Sequence, residues 1–146
     1  MADGLRAWQG RTVEEWTTRW GVPRLHVYRS VGSTNDVARQ LAARGAPEGT
    51  TVLADAQTRG RGRQGRRWHA EPGRSLLLSM VVRPPAPGAS VLSLRLGLAA
   101  ARAIEETVSQ ASLGRAPLAV GIKWPNDLII DGHKVGGILC EGVVEA

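Results

Sequence analysis

Arg59, Arg61, Arg63, Arg66 and Arg67 fall within nine residues that contain no carboxylate, and Gly60, Gly62 and Gly65 are set among them. A guanidinium grips phosphate or carboxylate oxygens through paired N–H bonds and keeps its charge at any relevant pH. Glycines between the arginines let the backbone approach a ligand closely and leave the segment mobile. A cationic loop of this kind, following a strand, can close over a phosphate and exclude water. It is not a Walker A loop, because the G-x-x-x-x-G-K-[ST] pattern does not occur. The same residues also suit a solvated basic loop, or an arginine–glycine segment lying against RNA.

Three further groups could do chemistry. Lys123-Trp124-Pro125-Asn126-Asp127 closes an apolar run. A lysine at a strand end is a point charge on a rigid base, suited to a phosphate or a carboxylate. Asn126 and Asp127 offer oxygens that could hold Mg²⁺ directly or through water, although both are also ordinary turn residues. Ser33-Thr34-Asn35-Asp36 precedes a helical pattern, where free N–H groups and short polar side chains can read a small polar ligand. Capping would use Ser33 and Asp36 and leave Thr34 and Asn35 over. Lys134-Val135-Gly136-Gly137-Ile138-Leu139 puts two glycines in an apolar strand, which marks a bulge or a backbone close to a ligand, or simply a strained hairpin arm.

The elements that must position these groups follow from periodicity and punctuation. Residues 12–20 read as a helix with Thr12 as cap and Glu15 at the capping-box position. Leu25–Val31 alternates like a half-buried strand, and Thr50–Ala54 is a second strand. Between them, Ser33 to Asp36 has the form of a capping box, Val37, Ala38 and Leu41 follow at helical spacing, and Gly45 suits the stop. Leu76–Val82 is a continuous apolar run ended by Pro84-Pro85, which predicts a buried strand. A long helix is expected from Ser90 to about Val108, then a strand over Leu118–Trp124. Leu128–Ile130, Asp131-Gly132 and His133–Val144 predict a hairpin with a type I′ turn. Together these elements predict an α+β fold with a mostly antiparallel sheet.

The chain has 146 residues, enough for one domain with its own core, and its 42% hydrophobic content excludes wholesale disorder. The net charge of +6 invites a nucleic-acid reading, but the five loop arginines account for all of it except one charge. One cationic loop suits a compact anion as well as it suits a polymer. No apolar run reaches the length of a membrane span, and the start Met1-Ala2-Asp3-Gly4 has no signal-peptide form. Cys140 is the single cysteine, so no intramolecular disulfide can form, and cytoplasmic residence is expected.

In their order along the chain, five segments resemble the biotin protein ligase family. They are Ser33-Thr34-Asn35, Gln57, the Gly-Arg-Gly-Arg-x-Gly-Arg-x-Trp stretch at 60–68, Lys-Trp-Pro-Asn-Asp at 123–127 and Lys-Val-Gly-Gly-Ile-Leu at 134–139. The resemblance covers roughly residues 25–144. It implies an α+β catalytic domain related in fold to class II aminoacyl-tRNA synthetases and lipoate protein ligases. It implies activation of biotin with ATP and Mg²⁺ to biotinyl-5′-AMP, then transfer to a lysine of a biotin carboxyl carrier protein domain. Ser33, Thr34, Asn35 and Gln57 match positions that hold the biotin rings, and Gly136 and Gly137 match the strand lining the same pocket. Arg61, Gly62 and Arg63 match the loop over biotin and the adenylate phosphate, and Trp68 matches the aromatic residue against adenine. Lys123 matches the lysine at the activated carboxyl and phosphate, so Lys123 and Arg63 are the expected catalytic groups. Asn126 matches a position near the nucleotide, and Asp127 one near the metal.

The resemblance also predicts a domain organisation. Residues 1–24 are expected to form an N-terminal helical extension, and 25–146 the N-terminal portion of the catalytic domain. Relatives continue past the position of Ala146, so a C-terminally truncated domain is expected, whose activity alone is open. Too few residues precede the first strand for a winged helix, so no DNA is expected as a partner, nor a membrane; a homodimer is compatible with the sequence. The competing expectations are a lipoate or other acyl-protein ligase on the same fold, an inactive biotin-binding module, and a nucleic-acid-binding domain that uses the 59–67 loop.

Overall fold

The computed structural model describes residues 4–83, 91–111 and 118–142. A two-residue ladder, Ala7–Trp8 (β1) against Arg11–Thr12 (β2), leads directly into helix Val13–Trp20 (α1). The expected capping box is formed in full: Thr12 Oγ1 accepts from the Glu15 amide, and a Glu15 carboxylate oxygen accepts from the Thr12 amide. Gly21, at φ 62°, ends the helix in the left-handed conformation.

Leu25–Val31 (β3), helix Thr34–Ala43 (α2) and Thr51–Gln57 (β4) make a β-α-β unit, because β3 and β4 pair in parallel, from Leu25 opposite Thr51 to Val31 opposite Gln57. Leu77–Met80 (β5) then joins β4 antiparallel. Apolar residues of this sheet fall into two clusters. Leu25, Val27 and Leu53 are buried with Leu5, Trp8, Val13, Trp16 and Val22 packed against them. Val52, Val81 and Ala38 are buried with Tyr28, Val37, Leu41 and Ala42. Alternation along β3 and β4 thus supplies the N-terminal segment with one contact set and α2 with the other. Residues 4–24 hold the β1–β2 ladder as well as the expected helix, and Trp8 Nε1 donates to Asp55 Oδ1 at 3.0 Å.

Two strand expectations change. The parallel β3–β4 pairing was not read from the sequence, although four of the five strand pairings among the described residues are antiparallel. In β5, Leu77 and Ser79 are buried while Leu78 and Met80 are exposed, so the apolar run is a half-buried edge strand and not one covered on both faces. A short apolar run cannot by itself distinguish the two.

The chain divides into two units, Met1–Arg83 and Pro84–Ala146. In the second, helix Leu92–Ala111 (α3) packs on the strands Gly121–Lys123 (β6) and Asp127–Ile130 (β7), with Gly97 and Ala101 buried. Strand His133–Gly137 (β8) completes an antiparallel β6-β7-β8 sheet. Asp131 at φ 49° and Gly132 at φ 77° give the β7–β8 turn the two left-handed residues a type I′ turn requires. Pro84, Pro85, Ser90 and Val144, which figure in the expected boundaries, lie outside the described residues. Among the described residues, no helix is long and apolar enough to cross a membrane.

Candidate ligand site

Strands β3 and β4 end side by side at Val31 and Gln57, and Ser33, Thr34, Asn35 and Gln57, expected to bind a ligand, lie at or just beyond these carboxyl ends. Ser33 is the N-cap of α2 by backbone conformation, but its side chain makes no capping bond. The first helical amide is instead satisfied from β4: Gln57 Oε1 accepts from Thr34 N at 2.7 Å and from Thr34 Oγ1 at 2.9 Å. Ser79 of β5 continues the network. Its hydroxyl lies 2.8 Å from Thr34 Oγ1 and also meets Asn35 Oδ1, and its single proton serves one of them at a time. Ser33 and Thr34 are each 4% exposed. Ser33, Thr34, Asn35 and Gln57 therefore come together, with Ser79 as a fifth member.

Asp36 does not complete a capping box. Its two carboxylate oxygens accept from Arg61 Nη1 and Nη2 at 2.9 and 2.8 Å, and Oδ1 also accepts from Arg39 at 2.9 Å. Two parallel charge-assisted bonds outcompete one backbone N–H for the same oxygens. The Arg61 guanidinium holds the Asp36 carboxyl below its ordinary range, with Arg39 and Arg59 adding to the effect.

The arginine segment folds as a small hairpin. Trp68 N donates to Gly60 O at 2.9 Å, Gly62 N donates to Arg66 O at 2.7 Å, and Arg61 and Arg67 form a bridge. Its tip is one turn of 3-10 helix at Arg63–Gly65, where Gln64 (φ 57°) and Gly65 (φ 72°) are left-handed. Gly60 is obligatory: a Cβ there would lie 2.6 Å from the Trp68 carbonyl oxygen. Arg63 is exposed at the tip, and Trp68 is half-buried at the base.

The remaining expected residues form a second group in the second unit. Lys123, Asp127 and Gly137 lie in one row across β6, β7 and β8. Asn126 and Ile138 bond reciprocally, through Ile138 N to Asn126 O at 2.8 Å and Asn126 Nδ2 to Ile138 O at 3.1 Å. Of the readings open for the glycine pair, the register fits a bulge: it shifts between Leu128 and Ile129, with Leu128 opposite Gly136 and Ile129 opposite Lys134. A Cβ on Gly136 would lie 3.2 Å from Leu128 Cδ1, so the glycine admits a neighbouring side chain. Lys123 and Trp124 are exposed. Asp127 pairs with Lys134 at 2.8 Å, and the described residues contain no group of three His, Cys, Asp or Glu side chains able to hold a metal. Among the described residues, the side chains around Asp127 therefore do not make a Mg²⁺ cage.

Sequence reading missed Ser79 and the role of Asp36. Ser79 had a signal, as the one polar residue in Leu76–Val82. The partner of Asp36 had none, because Arg61 is 25 residues away. Two open concavities, of about 460 Å³ beside Glu105 and Leu118 and about 610 Å³ beside Arg11 and Glu15, include none of the expected site residues.

Comparison with known proteins bears on this arrangement. The profile of the Biotin/lipoate A/B protein ligase family matches residues 27–146. The bifunctional ligase/repressor BirA of Bacillus subtilis is 42% identical over 116 residues, which are 79% of this chain and 34% of that protein. The biotin–[acetyl-CoA-carboxylase] ligase of Mycobacterium tuberculosis is 38% identical over 125 residues, 83% of this chain and 45% of that protein. Among solved structures, the biotin protein ligase of Leishmania major in complex with biotinyl-5-AMP superposes with a TM-score of 0.71 at 36% identity, covering 83% of this chain and 53% of that one. The Aquifex aeolicus biotin protein ligase in complex with biotin and ATP gives 0.65 at 34% identity, covering 82% and 47%. The chain spans between about a third and about half of the length of these proteins.

Proposed function

The chain belongs to the biotin/lipoate A/B protein ligase family, and from that premise we propose that it carries the biotin-activating part of a biotin protein ligase. The observation that carries this reading is the junction at the ends of β3 and β4. There Thr34, Asn35, Gln57 and Ser79 form one hydrogen-bonded group, and Asp36 ties the arginine hairpin to the same helical turn. Neutral donors and acceptors of this kind suit a fused ring bearing a urea, and a guanidinium hairpin suits the carboxylate and phosphate that follow it.

In the reaction, the biotin carboxylate attacks the α-phosphorus of ATP and pyrophosphate leaves, giving biotinyl-5′-AMP. Two anions must approach each other, so positive charge has to be in place first; Lys123 and Arg63 supply it. Trp68 offers a flat face to adenine, and Gly62 keeps the hairpin backbone open to the ligand. An acceptor lysine, on the biotin carboxyl carrier domain of a carboxylase, then attacks the acyl carbon and AMP leaves. Mg²⁺ would come with the nucleotide phosphates and offset their charge. We place this chemistry in the cytoplasm, where biotin-dependent carboxylases find their ATP.

Biotin-dependent release of pyrophosphate from ATP tests the reading. It should appear with biotin and not with lipoate. Release with lipoate alone would move the chain to the lipoate branch of the family, and tight biotin binding without release would leave only a binding module.

A further inference from the structure

We propose that Asp36 is a positioning residue: it holds the Arg61 guanidinium on the first turn of α2, and so fixes the arginine hairpin to the segment that carries Thr34 and Asn35. The proposal rests on the ligand assignment above for its purpose, but its geometry stands by itself.

The two-point contact is specific in direction. Nη1 donates to one oxygen of Asp36 and Nη2 to the other, at 2.9 and 2.8 Å, so the guanidinium plane has one orientation relative to the helix. A lysine or a single-point bond would leave that orientation free. Neither partner is a long side chain waving in solvent: side-chain exposure is 34% for Arg61 and 23% for Asp36. The contact also joins parts far apart in sequence, beyond the backbone bonds from Thr58 N to Val31 O at 2.9 Å and from Arg59 N to Gly32 O at 2.8 Å. Asp36–Arg61 joins the hairpin ladder itself to the first turn of α2.

Charge supports the same reading. Arg39, Arg59 and Arg61 all lower the pKa of the one Asp36 carboxyl, so the carboxylate is ionised throughout the physiological range and the cluster keeps a net positive charge. The pair engages two of the five N–H donors of the guanidinium. Asp36 thus sets the direction in which the Arg61 guanidinium lies.

Two readouts test this on the full chain. In the unliganded protein, Asp36→Asn should speed hydrogen exchange at the Gly62 and Trp68 amides about tenfold while the Thr51–Gln57 amides keep their protection. Unchanged exchange in the hairpin would overturn the proposal. If Asp36→Asn does not fold, Arg61→Lys, which keeps the charge and loses the fork, should loosen the hairpin in the same way, and failure to do so overturns it equally. In the second readout, biotin affinity is measured across a double-mutant cycle. Asp36→Asn should weaken binding about tenfold, Arg61→Gln by more, and the double variant no further than Arg61→Gln alone. Additive losses would show that Asp36 acts independently of Arg61. A parent protein that binds no biotin would sink the functional reading and leave the exchange result to decide the positioning role.

Discussion

Gln57 Oε1 accepts hydrogen bonds from both the amide and the hydroxyl of Thr34, at 2.7 and 2.9 Å, and so closes the N-terminus of α2 from the end of the neighbouring strand. Loss of that acceptor strands two donors on a residue that is 4% exposed. Gln57→Leu should therefore cost about 1–3 kcal/mol of stability in urea denaturation, more than a typical surface change. A midpoint equal to that of the parent would mean that water takes over both bonds.

The hairpin glycines should differ in tolerance. At Gly60 a Cβ would meet the Trp68 carbonyl oxygen at 2.6 Å, whereas at Gly62 the nearest atom would be 3.6 Å away. Gly60→Ala should open the hairpin base and raise hydrogen exchange at Trp68, and Gly62→Ala should not. The reverse order would show that the hairpin closes differently in solution.

Lys123 is expected to act on the reaction more than on binding. Lys123→Ala should slow adenylate formation roughly 10²–10³-fold, the usual loss for one charge-stabilising contact in the transition state, with a far smaller change in biotin affinity. Single-turnover measurement of adenylate separates the two quantities. An unchanged rate removes Lys123 from the chemistry.

Arg63, exposed at the hairpin tip, is expected to retain the intermediate. Arg63→Gly should still make biotinyl-5′-AMP but release it, because the fork over the phosphate is gone. Free adenylate in solution, and label on lysines of bystander proteins, should both rise. Retention as tight as in the parent counts against this role.

His26 should make stability depend on pH. Burial, and next the charge of Arg24, lower its pKa from the ordinary 6.5, and its Nε2 is buried without a hydrogen-bond partner among the described residues. The folded state thus resists a proton that the unfolded chain accepts. Stability should be unaffected by this group above pH 6.5, fall as the pH drops below that value, and level off beneath the folded pKa. His26→Gln should flatten this part of the curve. A parent and variant with parallel stability profiles from about pH 7.5 to 5 would exclude the effect.

Much of the fold could be read from short-range patterns. Thr12 and Glu15 are three residues apart and cap α1 as expected, β3 keeps its expected limits of Leu25 and Val31, and Asp131-Gly132 makes the expected turn. What escaped depends on residues distant in sequence. The parallel pairing of β3 with β4 is set by α2 crossing between them, and nothing in either strand announces it. The expected capping role of Asp36 failed because Arg61 is a better partner than a backbone amide. The polar group around Thr34 was legible as residue types, while its fifth member, Ser79, needed the edge position of β5 to bring it there.

The tryptophans divide the molecule's optical properties between two places. Trp8, Trp16 and Trp20 stand with ring centroids 5.3 to 6.2 Å apart, close enough to share excitation. Their coupled transitions should give the far-ultraviolet circular dichroism an exciton signature that reports whether the N-terminal segment is seated. Trp68 and Trp124 belong to the hairpin base and the strand-end motif. Emission changes on adding a ligand can thus be assigned to these two indoles whenever the dichroism stays constant, and the chain carries its own internal standard for binding measurements.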